Sequence, residues 1–361
     1  MIENVIETTE LCRHCLMCRH KTPMGHITSK ETYTPHGFGQ LVASEKRGMI
    51  EWNEEYAEVM YVSSDNGNSR AHCETDQPLP EAIAAERAKL VKKDVAPDVV
   101  YELRDQLKKY ETPYEESEPG DVSGTGDVAL FVSDEVRYRS PETLEAVLEL
   151  LEEIGVDPVQ IGNGRNNGFI ASSLGLPGVA ENLAEANLEE LEDTGADQLI
   201  VLSPGDYFAF NQMYDERLGI EFPEDVELVD VAERHRTAVD DGDLSIRETD
   251  LGEPYAYVDP THTVRTKPRV DAPRDLLDAV LTDERRELFW RGERAFPCGN
   301  LALEFVHPDL ADELTQYRLE DATDQDVNAV VTDGAGSEYH LKQHADDVDV
   351  HNLYRILAEQ V

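Results

Sequence analysis

The sequence predicts an α/β protein in which a helical N-terminal region precedes two α/β halves related by internal duplication. From residue 127 onwards, short apolar strands alternate with amphipathic helices. The same strand–helix–strand succession begins again near residue 254. Units of this kind form parallel sheets. We therefore expect a helical domain at 1–93, a linker at 94–126, and the two halves at 127–245 and 246–361.

Each element follows from hydrophobic periodicity and from its terminating residues. Helices are expected at 53–62 and 79–93, with a short helix at 98–110 before a Pro-, Gly- and Ser-rich acidic stretch. The first half is expected to contain strand 127–133, helix 141–155, strand 157–162, helix 176–195 and strand 196–204. The second half is expected to contain strand 254–260, helix 271–283, segment 308–325, strand 327–333 and a closing helix at 349–360.

The charge is strongly negative, with 76 Asp and Glu against 32 Lys and Arg, for a net charge of −44. Because molar salt shortens the screening length to roughly 3 Å, such a surface suits a high-salt cytoplasm. Nucleic acid is disfavoured as a partner, since no basic stripe would neutralise phosphates. No apolar run approaches 18 residues, so we expect no membrane span, only peripheral association through partner chains.

Three cysteines near the N-terminus carry the strongest chemical signal. Cys12, Cys15 and Cys18 have C-x2-C-x2-C spacing, and Thr22-Pro23 stands where an iron–sulfur motif has its fourth Cys before a proline. Three thiolates at this spacing can wrap one cluster. They are therefore the predicted cofactor-binding and metal-binding residues.

A second, degenerate run of the same motif precedes the helix at 79–93. Counting back from Pro78, its four ligand positions hold Gln77, Cys73, Arg70 and Gly67. In two-cluster ferredoxins the fourth Cys of each run binds the other cluster. The first cluster would therefore have Gln77 at its fourth position. The second would retain only Cys73, with Thr22 at its fourth position, which is too few thiolates for a cluster.

The cysteine triad leaves several interpretations open. It can hold a 3Fe-4S cluster, or a 4Fe-4S cluster whose fourth iron is bound by water, a His or the Gln77 amide. It can instead hold zinc in a Cys3His site, with His14, His20, His26 or His36 as the fourth ligand. The remaining interpretation is that the loop binds no metal and is only a remnant of an ancestral iron–sulfur domain. The spacing favours one iron–sulfur cluster.

Together these features resemble iron–sulfur subunits that join a two-cluster ferredoxin domain to a duplicated cysteine-rich CCG domain. Examples are heterodisulfide reductase subunits and the iron–sulfur subunits of glycolate oxidase and of anaerobic glycerol-3-phosphate dehydrogenase. Residues 257–262 (YVDPTH) match the family's Y-H-x-P-C-H stretch, and 166–168 (NNG) stand at its Cys-Cys-Gly position. The resemblance implies a ferredoxin-like helical domain and two CCG-type halves in a cysteine-depleted, haloarchaeal-like member.

Most cysteines that bind noncubane clusters in that family are replaced here. The degenerate positions are Asn166, Asn167, Asp206, Thr261, Cys298 and Asp333 in the two halves, together with Thr22 and Cys73 in the N-terminal motifs. One remaining thiol in the two halves cannot support noncubane clusters or disulfide chemistry, so no catalytic residue is predicted. In the family, the positions of Asn166, Asn167, Asp206, Asp333 and His262 face each other. A hard-cation or small-ligand site, or simple polar replacement, would explain them.

Two functions follow from these residues. The first is an electron-transfer subunit with one N-terminal cluster, which passes electrons between a flavin dehydrogenase and a further electron carrier in a multi-subunit oxidoreductase. The alternative is a non-redox scaffold subunit that keeps the degenerate CCG fold, or a Cys3His zinc protein.

Overall fold

The computed structural model describes residues 12, 15–116, 119–120 and 124–361, except the side chains of residues 267 and 268. Its N-terminal part is helical. The helices are α1 Pro23–Thr28, α2 Pro35–Lys46, α3 Glu54–Tyr61, α4 Asn68–Ala71, α5 Leu79–Lys92 and α6 Asp98–Tyr110, with 3-10 turns at Met17–Lys21 and Glu31–Tyr33. The predicted helices α3, α5 and α6 are confirmed. The sequence reasoning missed α1, α2 and α4.

Side-chain caps explain where two of these helices begin. The hydroxyl of Thr34 accepts a hydrogen bond from the Gly37 N–H at 3.2 Å, and Pro35 occupies the first position of α2. The side chain of Asn53 accepts from the Tyr56 N–H at 2.8 Å and starts α3. The cap of α2 was therefore present in the sequence, although the segment around it reads as irregular.

The first half forms a parallel four-stranded sheet in the order β2-β1-β3-β4. Its elements are β1 Val128–Ser133, α7 Asp134–Arg139, α8 Pro141–Glu153, β2 Val159–Arg165, α9 Phe169–Ser173, α10 Pro177–Thr194, β3 Gln198–Val201, α11 Pro204–Phe208, a π-helical segment Ala209–Leu218, β4 Glu227–Asp230 and α12 Val231–Asp241. The three predicted strands and two predicted helices are confirmed, and β4 and α12 extend the half by one further unit.

The second half repeats this topology in the order β6-β5-β7-β8, again with parallel strands. Its elements are β5 Tyr255–Tyr257, α13 Ala272–Val280, β6 Arg285–Arg286, α14 Ala302–Val306, α15 Pro308–Thr323, β7 Ala329–Thr332, α16 Ala335–His344, β8 Asp349–Asn352 and α17 Leu353–Ala358, with 3-10 turns at Thr263–Arg265, Lys267–Val270 and Gly292–Arg294. The identical strand order confirms the duplication that the sequence predicts.

One predicted element is wrong in part. The closing helix expected at 349–360 is divided into the edge strand β8 and the short helix α17. The Asn352 side chain accepts a hydrogen bond from the Tyr354 N–H at 3.0 Å, which caps α17 and ends the strand before it. Pairing of β8 with β7 therefore overrides the helical periodicity of the segment.

The two halves pack against each other in a reciprocal way. Helix α8 of the first half contacts α17, the last helix of the second half. In the same way, α12, the last helix of the first half, contacts α13 of the second half. One apolar core runs through this interface and contains Leu130 and Ile200 of the first sheet with Tyr255 and Val331 of the second. Burial of apolar surface thus holds the halves together as one unit.

The opposite face of the first half packs on the N-terminal helices. Leu90 of α5 and Leu107 of α6 share a core with Phe131 of β1 and Phe169 of α9. Helix α6, which was expected inside a linker, therefore belongs to the packed structure. Among the described helices, none combines the length and the apolar character that a bilayer span requires.

Candidate functional site

Four cysteine side chains line one cavity at the N-terminal end of the molecule. Cys12, Cys15 and Cys18 approach it from the segment that ends in the turn Met17–Lys21. Cys73 approaches it from the opposite side, from the loop between α4 and α5. The cavity has a volume of about 80 Å³, and apolar side chains including Leu79 form part of its wall. Sequence reasoning assigned Cys73 to the second ligand set, whereas the structure places it beside the first.

The electrostatic environment shows how near these thiols are to one another. Burial, together with the charges of Cys73, Cys12 and Cys15, raises the pKa of the Cys18 thiol to about 11. The effect of Cys73 on Cys18 exceeds those of Cys12 and Cys15. Cys73 therefore belongs to the same group of thiols as Cys18, in agreement with the cavity that both line.

Gln77 also lines this cavity, as the motif spacing predicts for the fourth ligand position. Its side chain is only 8% exposed, and its Oε1 has no hydrogen-bond partner in the described part of the structure. Its Nε2 donates to the carbonyl oxygen of Thr75 at 3.4 Å. A buried amide oxygen without a partner is costly unless it meets a ligand or water.

The donor set of this cavity fits an iron–sulfur cluster, because four soft thiol ligands and one orphan oxygen surround one space. The thiols are not drawn together as in a metal-loaded site. Within the described residues, no set of three or more His, Cys, Asp or Glu side chains is arranged as metal ligands. Of the histidines considered for zinc, His36 lines the cavity. His14 lies outside the described residues.

Two positions of the second ligand set, Thr22 and Gly67, line a smaller cavity of about 20 Å³, which Asp65 also lines. Gly67 has a φ of +89°, and a Cβ placed on it would lie 2.4 Å from Nε of Arg265. Arg265 therefore occupies the space that a Cys side chain at position 67 would need. Arg70 turns elsewhere and donates to Glu216 at 2.7 Å.

A further cavity, of about 40 Å³, lies between the two halves at the carboxyl ends of their strands. Of the degenerate positions, Asn166, Asn167, Asp206 and Thr261 line it, together with His262. These side chains meet because they follow the carboxyl ends of neighbouring parallel strands: Asn166 and Asn167 follow β2, Asp206 follows β3, and Thr261 follows β5. Of the five side chains expected to face each other, Asn166, Asn167, Asp206 and His262 line this cavity, and Asp333 is not among its lining residues.

Three side chains that stand at cysteine positions of the family, Asn166, Asn167 and Thr261, form hydrogen bonds with neighbouring side chains in this cavity. Asn166 donates through Nδ2 to Asp134 at 2.9 Å, and Asn167 donates through Nδ2 to Asp206 at 2.7 Å. Thr261 donates to Oδ1 of Asn300 at 2.7 Å. The positions that hold cysteines in the family therefore form closed polar pairs here.

The buried carboxyl groups of this cavity have raised pKa values. Burial raises the pKa of Asp134 to about 8 and that of Asp206 to about 7. Burial also raises the pKa of Glu135. Near neutral pH these groups therefore carry less negative charge than exposed carboxylates would. A hard cation in this cavity would therefore have to displace protons from these carboxyl groups on binding.

Asp333 does not join this set. Its carboxylate accepts hydrogen bonds from the Tyr257 hydroxyl at 2.6 Å and from Arg269 at 2.5 Å. Arg269 also forms an ion pair with Asp230, at the end of β4 in the other half. Asp333 thus belongs to a buried charge pair that joins the two sheets.

Both halves match a known family. Residues 128–210 and residues 255–342 each match the profile of the cysteine-rich domain CCG. This chain contains two CCG domains. CCG domains are typical of iron–sulfur subunits of oxidoreductases. The chain therefore carries a domain pair associated with redox complexes, although few cysteines remain in it.

A solved structure has the same fold. A hypothetical protein from Helicobacter pylori is similar over 93% of this chain and 70% of its own chain, with a TM-score of 0.65 and 11% sequence identity. At this identity the likeness establishes the fold alone. No curated protein matches the chain significantly.

The last cysteine of the CCG domains, Cys298, is fully buried in a small core with Leu288 and Val330. Burial raises the pKa of its thiol, which disfavours the thiolate needed for a nucleophile or a metal ligand. Cys298 is therefore a packing residue of the second CCG domain.

Sequence reasoning missed several residues that shape these sites. Asp134 and Glu135 directly follow β1, so their place at the strand ends was a signal that could have been used. Asn300 sits beside the Pro-Cys-Gly stretch and donates to Glu135 at 3.1 Å. The sequence around Asp65 contains no pattern that predicts its role, because its partners Arg217, His262 and Arg265 lie far from it in the chain.

Proposed function

We propose that this chain is an iron–sulfur electron-transfer subunit of a multi-subunit oxidoreductase, with a single cluster bound in the cysteine cavity. The observation that carries this proposal is the presence of Cys12, Cys15 and Cys18 around one cavity. A bound cluster supplies a one-electron redox centre. The two CCG domains support the assignment to an oxidoreductase complex, because they are typical of such subunits.

The chain's own residues bind and shield the cofactor. The thiols of the triad are its ligands, while Leu79, Pro35 and Ala43 form an apolar wall that limits access of water and so helps to set its potential. Leu16 and Met17 lie at the same cavity and are 37% and 54% exposed. A flavin dehydrogenase as donor, or a further carrier as acceptor, can therefore approach the cluster here.

The acidic composition supports a high-salt cytoplasm as the place of action. At a net charge of −44 the chain repels itself strongly in dilute buffer, and molar salt screens that repulsion. Association with a membrane would then depend on partner subunits.

Anaerobic purification in molar KCl tests the proposal. We expect about three or four iron and sulfide ions per chain, with an EPR signal that appears or disappears on reduction. The Cys12→Ser/Cys15→Ser/Cys18→Ser variant should lose this iron, whereas Cys298→Ala should keep it as a matched control. Wild-type protein that stays free of iron after reconstitution would contradict the proposal. One tightly bound zinc would favour the Cys3His alternative, with His36 as the ligand that lines the cavity.

A second candidate is a non-redox scaffold subunit. It is favoured by the closed pairs Asn166–Asp134 and Asn167–Asp206, which replace the ligands of lost clusters by internal hydrogen bonds. In this case the triple Cys→Ser variant should assemble with its partners and leave the activity of the complex unchanged. Intact assembly with lost activity would exclude the scaffold role and support electron transfer.

A further inference from the structure

We propose that Cys73 provides the fourth thiolate of the N-terminal cluster, in place of the residue at position 77 that the motif spacing designates. This inference rests on the proposed function, because it concerns the cluster assigned to the cysteine cavity. The cluster would then have four thiolate ligands: three from the first cysteine motif and one from Cys73, the only cysteine in the second motif.

The fold brings Cys73 to the cavity of the other motif. The short helix α4 packs against the turn Met17–Lys21, which carries Cys18. Cys73 lies two residues beyond the end of α4, and its N–H donates to the carbonyl oxygen of Arg70 at 3.0 Å. The loop that begins there places the Cys73 side chain among the lining residues of the cavity, with Cys12, Cys15 and Cys18.

Two observations place Cys73 close to the triad. It lines the same cavity as the three cysteines, and the helix that precedes it contacts the turn that carries Cys18. Its Sγ lies 3.4 Å from the Thr75 hydroxyl, a weak contact that a metal ion could replace. Cys73 is also half-buried, so it can move towards a cluster without leaving a packed core.

The second site can no longer use Cys73. Gly67 and Thr22 offer no thiol there, and the side chain of Arg265 lies against Gly67. Arg70 is committed to Glu216 and Asp76. Among the residues that the structure describes, the potential co-ligands of the Cys73 thiol lie on the side of the first cavity.

Gln77 is the competitor for the fourth position. Its orphan Oε1 lies at the same cavity, but an amide oxygen is a hard, neutral donor. Iron in these clusters is held by soft thiolates, so a thiol within reach is the preferred ligand. Gln77 then lines the cavity without binding iron.

Anaerobic reconstitution with iron and sulfide of the full chain and two variants, Cys73→Ala and Gln77→Leu, tests this assignment. We expect about four irons per chain in the wild type and in Gln77→Leu, and about three in Cys73→Ala. The EPR signal should change accordingly, because a 3Fe-4S cluster is paramagnetic when oxidised and a 4Fe-4S cluster when reduced. Cys298→Ala is the matched control for loss of a thiol, and far-UV circular dichroism verifies that each variant folds. Should Cys73→Ala fail to fold, Cys73→Ser replaces it.

The possible failures are distinguishable. If Cys73→Ala keeps four irons while Gln77→Leu falls to three, Gln77 is the fourth ligand and the inference is overturned. Four irons in both variants would identify solvent or another side chain as the ligand and would also overturn it. In either case the proposed function stands, because the wild type carries its cluster. Only an iron-free wild type would defeat both proposals together.

Discussion

Asp65 and Arg217 form a buried, bidentate ion pair across the boundary between the N-terminal helices and the first α/β half. Nη1 of Arg217 donates to Oδ2 at 3.0 Å, and Nη2 donates to Oδ1 at 2.9 Å. Arg265 of the second CCG domain donates to the same Oδ1 at 2.7 Å, and the ring Nε2 of His262 lies 3.0 Å from the Asp65 carbonyl oxygen. One residue thus joins all three parts of the chain.

Replacing Asp65 by Asn should destabilise the protein by about 3–5 kcal/mol, because two buried guanidinium groups would lose their nearest counter-charge and keep only Glu81, at 3.6 Å from each. Burial raises the pKa of the Asp65 carboxyl, but Arg217 and Arg265 outweigh that effect and hold the pKa well below its usual range. The measurement is the urea unfolding midpoint at fixed KCl concentration. Asp347→Asn, at an exposed position, removes the same charge and should change the midpoint little. Equal midpoints for the two variants would show that the junction does not depend on this pair.

Gly67→Ala should be considerably more destabilising than Gly48→Ala. Both glycines have positive φ, of +89° and +67°, so alanine strains the backbone at each by about 1–2 kcal/mol. At position 48 the new methyl group meets open space, whereas at position 67 it lies 2.4 Å from Nε of Arg265. We expect a further loss of about 1–3 kcal/mol for Gly67→Ala, measured by urea unfolding. For the same reason, Gly67→Cys alone should not rebuild a second cluster.

Asp206→Asn should flatten the pH dependence of stability between about pH 4 and pH 7. Burial raises the pKa of Asp206 to about 7, against about 3.9 for an unfolded Asp. The folded state therefore keeps a proton that the unfolded state releases in this range. The stability contributed by this group is full below pH 4 and is lost as the pH rises through 7.

Urea midpoints of the wild type and of Asp206→Asn, measured from pH 4 to pH 8, check this prediction. Asn cannot ionise, and it can keep the Ser203 hydroxyl, now 2.9 Å from Oδ2, as a hydrogen-bond partner. Asp347→Asn should retain the slope of the wild type. Parallel curves for Asp206→Asn and the wild type would show that Asp206 stays ionised in the folded protein.

Lowering KCl from about 3 M to about 0.1 M should lower the melting temperature by many degrees. The screening length lengthens from below 3 Å to about 10 Å over this range, which restores repulsion among the acidic side chains of a chain with net charge −44. Thermal unfolding followed by circular dichroism measures the effect. Sucrose at matching osmolarity is the control, since it is uncharged. A melting temperature independent of KCl would rule out the acidic surface as an adaptation to salt.

Much of the fold was predictable because it depends on local pattern. The period-2 and period-3.6 distributions of apolar residues located β1, β3, α8 and α10 within a few residues. The last segment was not predictable, because pairing of β8 with β7 decides its conformation and the helical pattern does not. The spacing of apolar residues indicates which face of a helix or strand is buried, but it does not indicate which other element packs against that face.

The candidate site divides in the same way. The spacing of Cys12, Cys15 and Cys18 alone determined where we propose a cluster, because a local loop carries all three thiols. Only the tertiary structure decided that Cys73 lines the same cavity and that Arg265 lies against Gly67 in the second. Arg265 lies almost 200 residues from Gly67 in sequence, and no local pattern records such a contact. Cysteine spacing specifies the ligands that one loop can offer, whereas packing between distant segments decides which thiols share a site.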